Sequence, residues 1–174
     1  MKRLISILIC VAMMFSLCAC DLVDDIADMT ENVQAVPKTF EYNDFTIELT
    51  SDFLTMDFVD DEYDFIWGTT QITIMGLLAE MEPDVLENIT AFDYATAYRE
   101  EIKKANIEPS KIEDLDGIPV MKYTTDSAMG ELSVMTAFYK GSQGVWVVLY
   151  NVRTDIYDEN YKAICQYAKS VKCN

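Results

Sequence analysis

The chain has 174 residues, with 30 acids against 13 bases, no histidine and a formal charge of −17. The missing imidazole excludes a Ser-His-Asp triad, a Cys-His pair and every His-ligated metal centre. The scarcity of clustered Lys and Arg excludes nucleic acid as a partner, because phosphate must be met by cations.

Lys2 and Arg3 precede Leu4 to Leu17, an uncharged apolar run of 14 residues. That length suits the core of a secretory signal and falls short of the roughly 20 residues that span a bilayer. Leu17-Cys18-Ala19-Cys20 follows and resembles the lipobox of bacterial lipoproteins. Leu17 matches the large apolar residue three before the cleavage point, Ala19 the small residue just before it, and Cys20 the cysteine just after it. Cys18 departs from the Ala, Ser, Thr or Val more usual at its place, and is small enough to fit. The resemblance implies a signal peptide over 1–19 and acyl chains of the palmitate kind on Cys20. It implies a protein held on the extracytoplasmic face of a cell membrane. Two acyl chains, at about 0.8 kcal/mol per buried CH₂, hold far more firmly than one.

Loss of residues 1–19 removes two cations and no acid, leaving a formal charge of −19. The charge is uneven. Asp21 to Asp93 carries 19 acids and one base, Lys38, whereas Tyr94 to Asn174 carries 11 acids and ten bases. Such a surface suits solubility beside a membrane, or a cationic or protein partner in the cell envelope, and disfavours close contact with anionic lipid. Residues 20–37, rich in acids and without an aromatic, read as a solvated tether. Residues 38–174 read as one domain.

Lys38 to Tyr42 and Phe45 to Leu49 alternate as strands around an Asn43-Asp44 turn. The acidic turn "VDDEYD" at 59–64 leads to Phe65–Trp67 and through Gly68 into the apolar "QITIMGLLA". "EMEPDVLENI" reads as a Pro-containing connection. Thr90 and Asp93 have capping-box spacing and open a helix to about Asn106. Strands follow at Ile118–Asp126, Leu132–Tyr139 and Val145–Arg153, separated by Gly-bearing turns. Asp155 is placed to cap a last helix that carries Tyr161, Ile164, Cys165 and Ala168. In "VWVVLYNV" both alternating faces are apolar, so both sides of that strand must be covered. The expected fold is α+β: an antiparallel sheet of about six or seven strands with helices packed against it.

The element order, Gly117-Ile118-Pro119 before the meander "FYKGSQGVWVVLYNV", and the closing pattern Tyr161, Ile164, Ser170-Val171-Lys172 resemble the PsbP/DcrB-like superfamily over about residues 38–172. That resemblance implies an α/β/α sandwich, often lipid-anchored in bacteria and used in assembly or interaction. It implies no shared catalytic residue, and none is carried over.

The chemistry-bearing residues are few. Cys165 and Cys173 are eight apart, about 12 Å along a continued helix, too far for a disulfide. Cys165 is expected to pack as a small apolar side chain and Cys173 to lie in a fraying tail. Asp57, Asp60, Glu62 and Asp64 form the densest oxygen-donor group. A solvated hairpin tip and an irregular, weak Ca²⁺ site both stand open there, since the EF-hand register fails with Phe65 at the glycine place. No other cofactor is expected. Tyr63 among these acids, with Trp67 nearby, is a candidate for binding a cationic ligand or sugar if exposed. Two functions follow: a lipid-anchored, non-catalytic binding or assembly module, or a carboxylate-dependent hydrolase acting outside the cytoplasmic membrane.

Overall fold

Alternating burial in Phe45-Thr-Ile-Glu-Leu builds the first hairpin. β1 (Pro37–Tyr42) and β2 (Phe45–Thr50) pair antiparallel, with Tyr42 opposite Phe45 and Asn43 taking φ 52° in the two-residue turn. The computed structural model describes residues 36–56, 63–127 and 130–173, and the hairpin stands apart in it as a small sheet. Its third strand is the C-terminal pair Lys172–Cys173, which runs antiparallel to β2. The expected fraying tail is therefore a strand, because Cys173 finds a backbone partner in Phe45.

The main sheet has seven strands, all antiparallel neighbours. They are β3 (Leu54–Thr55), β4 (Phe65–Gly68), β5 (Ile72–Glu80), β6 (Glu113–Leu115), β7 (Ile118–Ser127), β8 (Gly130–Lys140) and β9 (Gly144–Arg153). Their order across the sheet is β3-β4-β5-β9-β8-β7-β6. The three long strands expected of the meander are present and in register, with Phe138 opposite Val147. The fold is α+β, as the sequence pattern requires, and the sheet stays open.

β9 lies at the centre and its parity divides the core. Trp146, Val148 and Tyr150 face the small sheet and the last helix, whereas Val145, Val147 and Leu149 face the other side. The first face is closed by Phe45, Ile47 and Leu49 of β2, and by Ile164 and Ala168 of the last helix. The second is closed by Ala95, Tyr98 and Ile102.

Three α-helices lie among the described residues. α1 (Pro83–Asn88) is a single short stretch that the sequence reading takes as a connection, and Pro at its start presets the helical φ. α2 (Ala91–Lys104) opens with the expected capping box: Thr90 accepts from the Asp93 amide, and Asp93 accepts from the Thr90 amide. α3 (Tyr157–Ser170) follows a 3₁₀ turn over Thr154–Ile156. Asp155 does not cap it. Its carboxylate is taken by Arg153, and the chain enters the helix through the 3₁₀ turn instead. Among the described residues no helix is long and apolar enough to cross a membrane.

Candidate functional site

Cys20, Asp57, Asp60 and Glu62 lie outside the described residues. Of the acidic group Asp64 is placed: its Oδ2 accepts the Leu78 amide at 2.6 Å, which ties the start of β4 to the edge of β5. Among the described residues no three Cys, Asp or Glu side chains come together as metal ligands.

The structure places Tyr63 and Trp67 in the interior. Both are buried, at 9% and 3% exposure, so neither offers a ring to solvent. Strand parity explains Trp67. Phe65 and Trp67 point together into the core beneath the small sheet and stack at 4.0 Å between centroids. Tyr63 enters the opposite core with Tyr98 and Tyr123. No aromatic cage can form from side chains divided between two cores.

The buried phenols are locked in their neutral form. Burial, with Tyr123, Tyr63 and Tyr94 close by, pushes the Tyr98 hydroxyl well up, and burial pushes Tyr123 up to about 12. Tyr139 donates to the carbonyl of Ala168 at 2.9 Å and meets the Tyr150 hydroxyl at 3.2 Å, tying α3 to the sheet. Burial, and then the Asp44 carboxylate, push the Cys173 thiol up to about 12, far from a thiolate nucleophile at neutral pH. Cys165 is half-buried and packs against the same core, in keeping with a small apolar role.

What the surface does offer is a cleft of about 760 Å³ where β5 ends, α1 begins and the β8–β9 turn rises opposite. Glu80, Glu82 and Glu87 line it, with Met81, Pro83 and Leu86 supplying the apolar wall. No aromatic ring lines it, so a sugar has no stacking platform there. The far wall is Lys140 and the turn Gly141-Ser142-Gln143. Lys140 Nζ donates to the Ile89 carbonyl at 3.0 Å, which fastens the end of β8 to the segment after α1.

The turn is fixed by Asp44, from the hairpin of the small sheet. Its Oδ2 accepts from Ser142 N at 3.1 Å and Ser142 Oγ at 2.8 Å, and its Oδ1 accepts from Trp146 Nε1 at 2.9 Å. Partial desolvation works to raise the Asp44 pKa, but those hydrogen bonds from Ser142 and Trp146 prevail and hold it below the usual carboxylate range. Met81 N donates to the Gln143 carbonyl at 3.0 Å and closes the base of the cleft. Both walls are thus held by hydrogen bonds to the scaffold.

These glutamates escape the sequence reading because "EMEPDVLENI" carries no periodicity that marks an element. The available signal is Pro83 followed by Asp84, which marks a helix start and would have turned a connection into a wall.

Searched against known proteins, the chain matches no family model and no curated protein. Solved structures do match. Cyanobacterial PsbP (CyanoP) from Synechocystis sp. PCC 6803 superposes with a TM-score of 0.56 at 10% identity, covering 91% of this chain and 99% of that one. It has the CyanoP fold. The Ran-binding protein Mog1p of Saccharomyces cerevisiae gives a TM-score of 0.50 at 12% identity, over 79% of this chain and 95% of that one. LpqN, involved in cell envelope biogenesis of Mycobacterium tuberculosis, gives 0.42 at 12% identity, over 87% of this chain and 95% of that one. The fold likeness rests on the first two. It agrees with the PsbP-like resemblance carried by the Gly117-Ile-Pro meander and the closing helix.

Proposed function

We propose that this chain is a lipid-anchored, non-catalytic binding or assembly module on the extracytoplasmic face of a cell membrane. The observation that carries the binding half is the cleft between α1 and the β8–β9 turn. It is concave, apolar at its wall and acidic at its rim. It belongs to a scaffold whose deep phenols and Cys173 thiol are held protonated. A preformed concavity with few polar groups is the ordinary form of a recognition site. The fold supports the reading by analogy, since Mog1p is a Ran-binding protein built on the same fold.

The anchoring half rests on Leu17-Cys18-Ala19-Cys20 behind its uncharged run, and on the acidic 20–37 segment as tether. Its test is metabolic labelling of cells making the full chain with an alkyne-tagged fatty acid. The wild type takes up label, and Cys20→Ser takes up none while still folding. Label on the Cys20→Ser chain, or on neither chain, would refute the anchor.

A further inference from the structure

We infer that the cleft between α1 and the β8–β9 turn docks a basic, partly apolar segment of another protein, with Lys or Arg on the rim and aliphatic side chains on the wall. This deepens the binding reading proposed above and rests on it. Three independent features of the surface point to that occupant.

The first is shape. At about 760 Å³ the cleft is in the range that holds several side chains or a ligand of drug size. Its walls are fixed by the Asp44–Ser142 and Met81–Gln143 hydrogen bonds, so little ordering is required when a partner enters.

The second is charge. Glu80, Glu82 and Glu87 are exposed and make no ion pair among the described residues. Lys140, the one cation of the cleft, is turned to the Ile89 carbonyl rather than to them. Glu41, Glu48 and Glu108 are likewise without an ion pair among the described residues, and what sets the cleft apart is that three such carboxylates line one concavity. A rim of unneutralised carboxylates on an acidic chain steers a cationic partner inward and repels the chain's own acidic tether.

The third is the apolar lining of the cleft. Met81, Pro83 and Leu86 line it together with the three glutamates. Val85, next to Leu86 on α1, is a further apolar side chain of that helix left 49% exposed. Apolar surface next to an acidic rim favours a segment that alternates cations with aliphatic residues over a metal ion or a small inorganic cation.

The test uses the full chain in detergent micelles and fluorescence anisotropy of a short fluorescein-labelled peptide of alternating lysine and leucine. The peptide should bind, and the triple variant Glu80→Gln, Glu82→Gln, Glu87→Gln should bind it roughly tenfold more weakly. A control that removes the same charge elsewhere, Glu41→Gln, Glu48→Gln, Glu108→Gln, should change affinity by about twofold or less. A lysine–serine peptide of the same charge should bind more weakly than lysine–leucine, and Met81→Ser should narrow that gap. All substituted positions are exposed except Met81, and far-UV circular dichroism checks that each variant is folded. No binding, equal losses in the two triple variants, or equal affinity for the two peptides would overturn the docking inference. Loss of the fatty-acid label is a separate readout, so failure of the cleft is distinguishable from failure of the anchored-module reading.

Discussion

Trp146→Ala should cost about 3–5 kcal/mol of folding stability, the range for truncating a buried aromatic side chain. Trp146 is fully buried at the centre of the main sheet. Its ring lies 5.3 Å from Phe45, 5.8 Å from Phe65 and 6.1 Å from Tyr42, so it joins the small sheet to the large one. The substitution leaves a cavity where both sheets meet, and neither can collapse into it without losing its own pairing. It also removes the indole donor from Asp44 Oδ1, loosening the carboxylate that holds the β8–β9 turn. Urea unfolding followed by circular dichroism would read the loss. Trp146→Phe, which keeps a ring and gives up only the donor and part of the volume, should lose less than half as much. A loss below about 1 kcal/mol for Trp146→Ala would show that the two sheets do not depend on this ring.

Gly76→Ala should destabilise by about 1–3 kcal/mol, although alanine ordinarily suits a strand better than glycine. Gly76 sits directly opposite Phe65 in the β4–β5 register. A methyl group built on Gly76 would overlap the Phe65 ring, which lies across the glycine. The ring has no room to retreat. It stacks on Trp67 at 4.0 Å and tilts against Phe45 at 5.0 Å. Phe65→Leu would lose stability alone by shrinking the core. Combined with Gly76→Ala, it should cost measurably less than the sum of the two, because the smaller side chain makes way for the methyl. Thermal unfolding of the four proteins of the cycle reads the coupling. Additive losses would mean that Phe65 and Gly76 do not oppose each other as the register places them.

The long elements were legible because each has a local period. "VWVVLYNV" shows two apolar faces, and the structure covers both. Thr90 and Asp93 show the capping spacing, and the box forms. The parts that were not legible depend on distant partners. Lys172–Cys173 is a strand only because β2 presents an edge more than a hundred residues away in sequence. Glu113–Leu115 is different: its partner β7 is local, across the Asp116-Gly117 turn, but three residues are too few to show a period. Tyr63 reads as exposed from its acidic neighbours, but a single side chain can turn inward from a polar segment, and composition does not record the direction. Asp155 had the right residue type for a cap, yet Arg153 two positions earlier takes its carboxylate. The cleft was invisible for a related reason. Its walls come from β5, α1 and the β8–β9 turn, and what fixes the turn is Asp44, about a hundred residues earlier in the chain.

If, as we propose, a membrane-held module receives a basic segment of another protein at this cleft, the two should be caught in contact there. The direct measurement is photo-cross-linking in intact membranes, with a benzophenone amino acid in place of Glu87 and, separately, in place of Glu41. The position-87 chain should yield a discrete adduct, and mass spectrometry of its cross-linked peptide should find a segment rich in Lys or Arg with aliphatic neighbours. The position-41 chain should yield none of that adduct. No adduct at position 87, the same adduct from both positions, or an acidic or neutral segment at position 87 would contradict docking at the cleft.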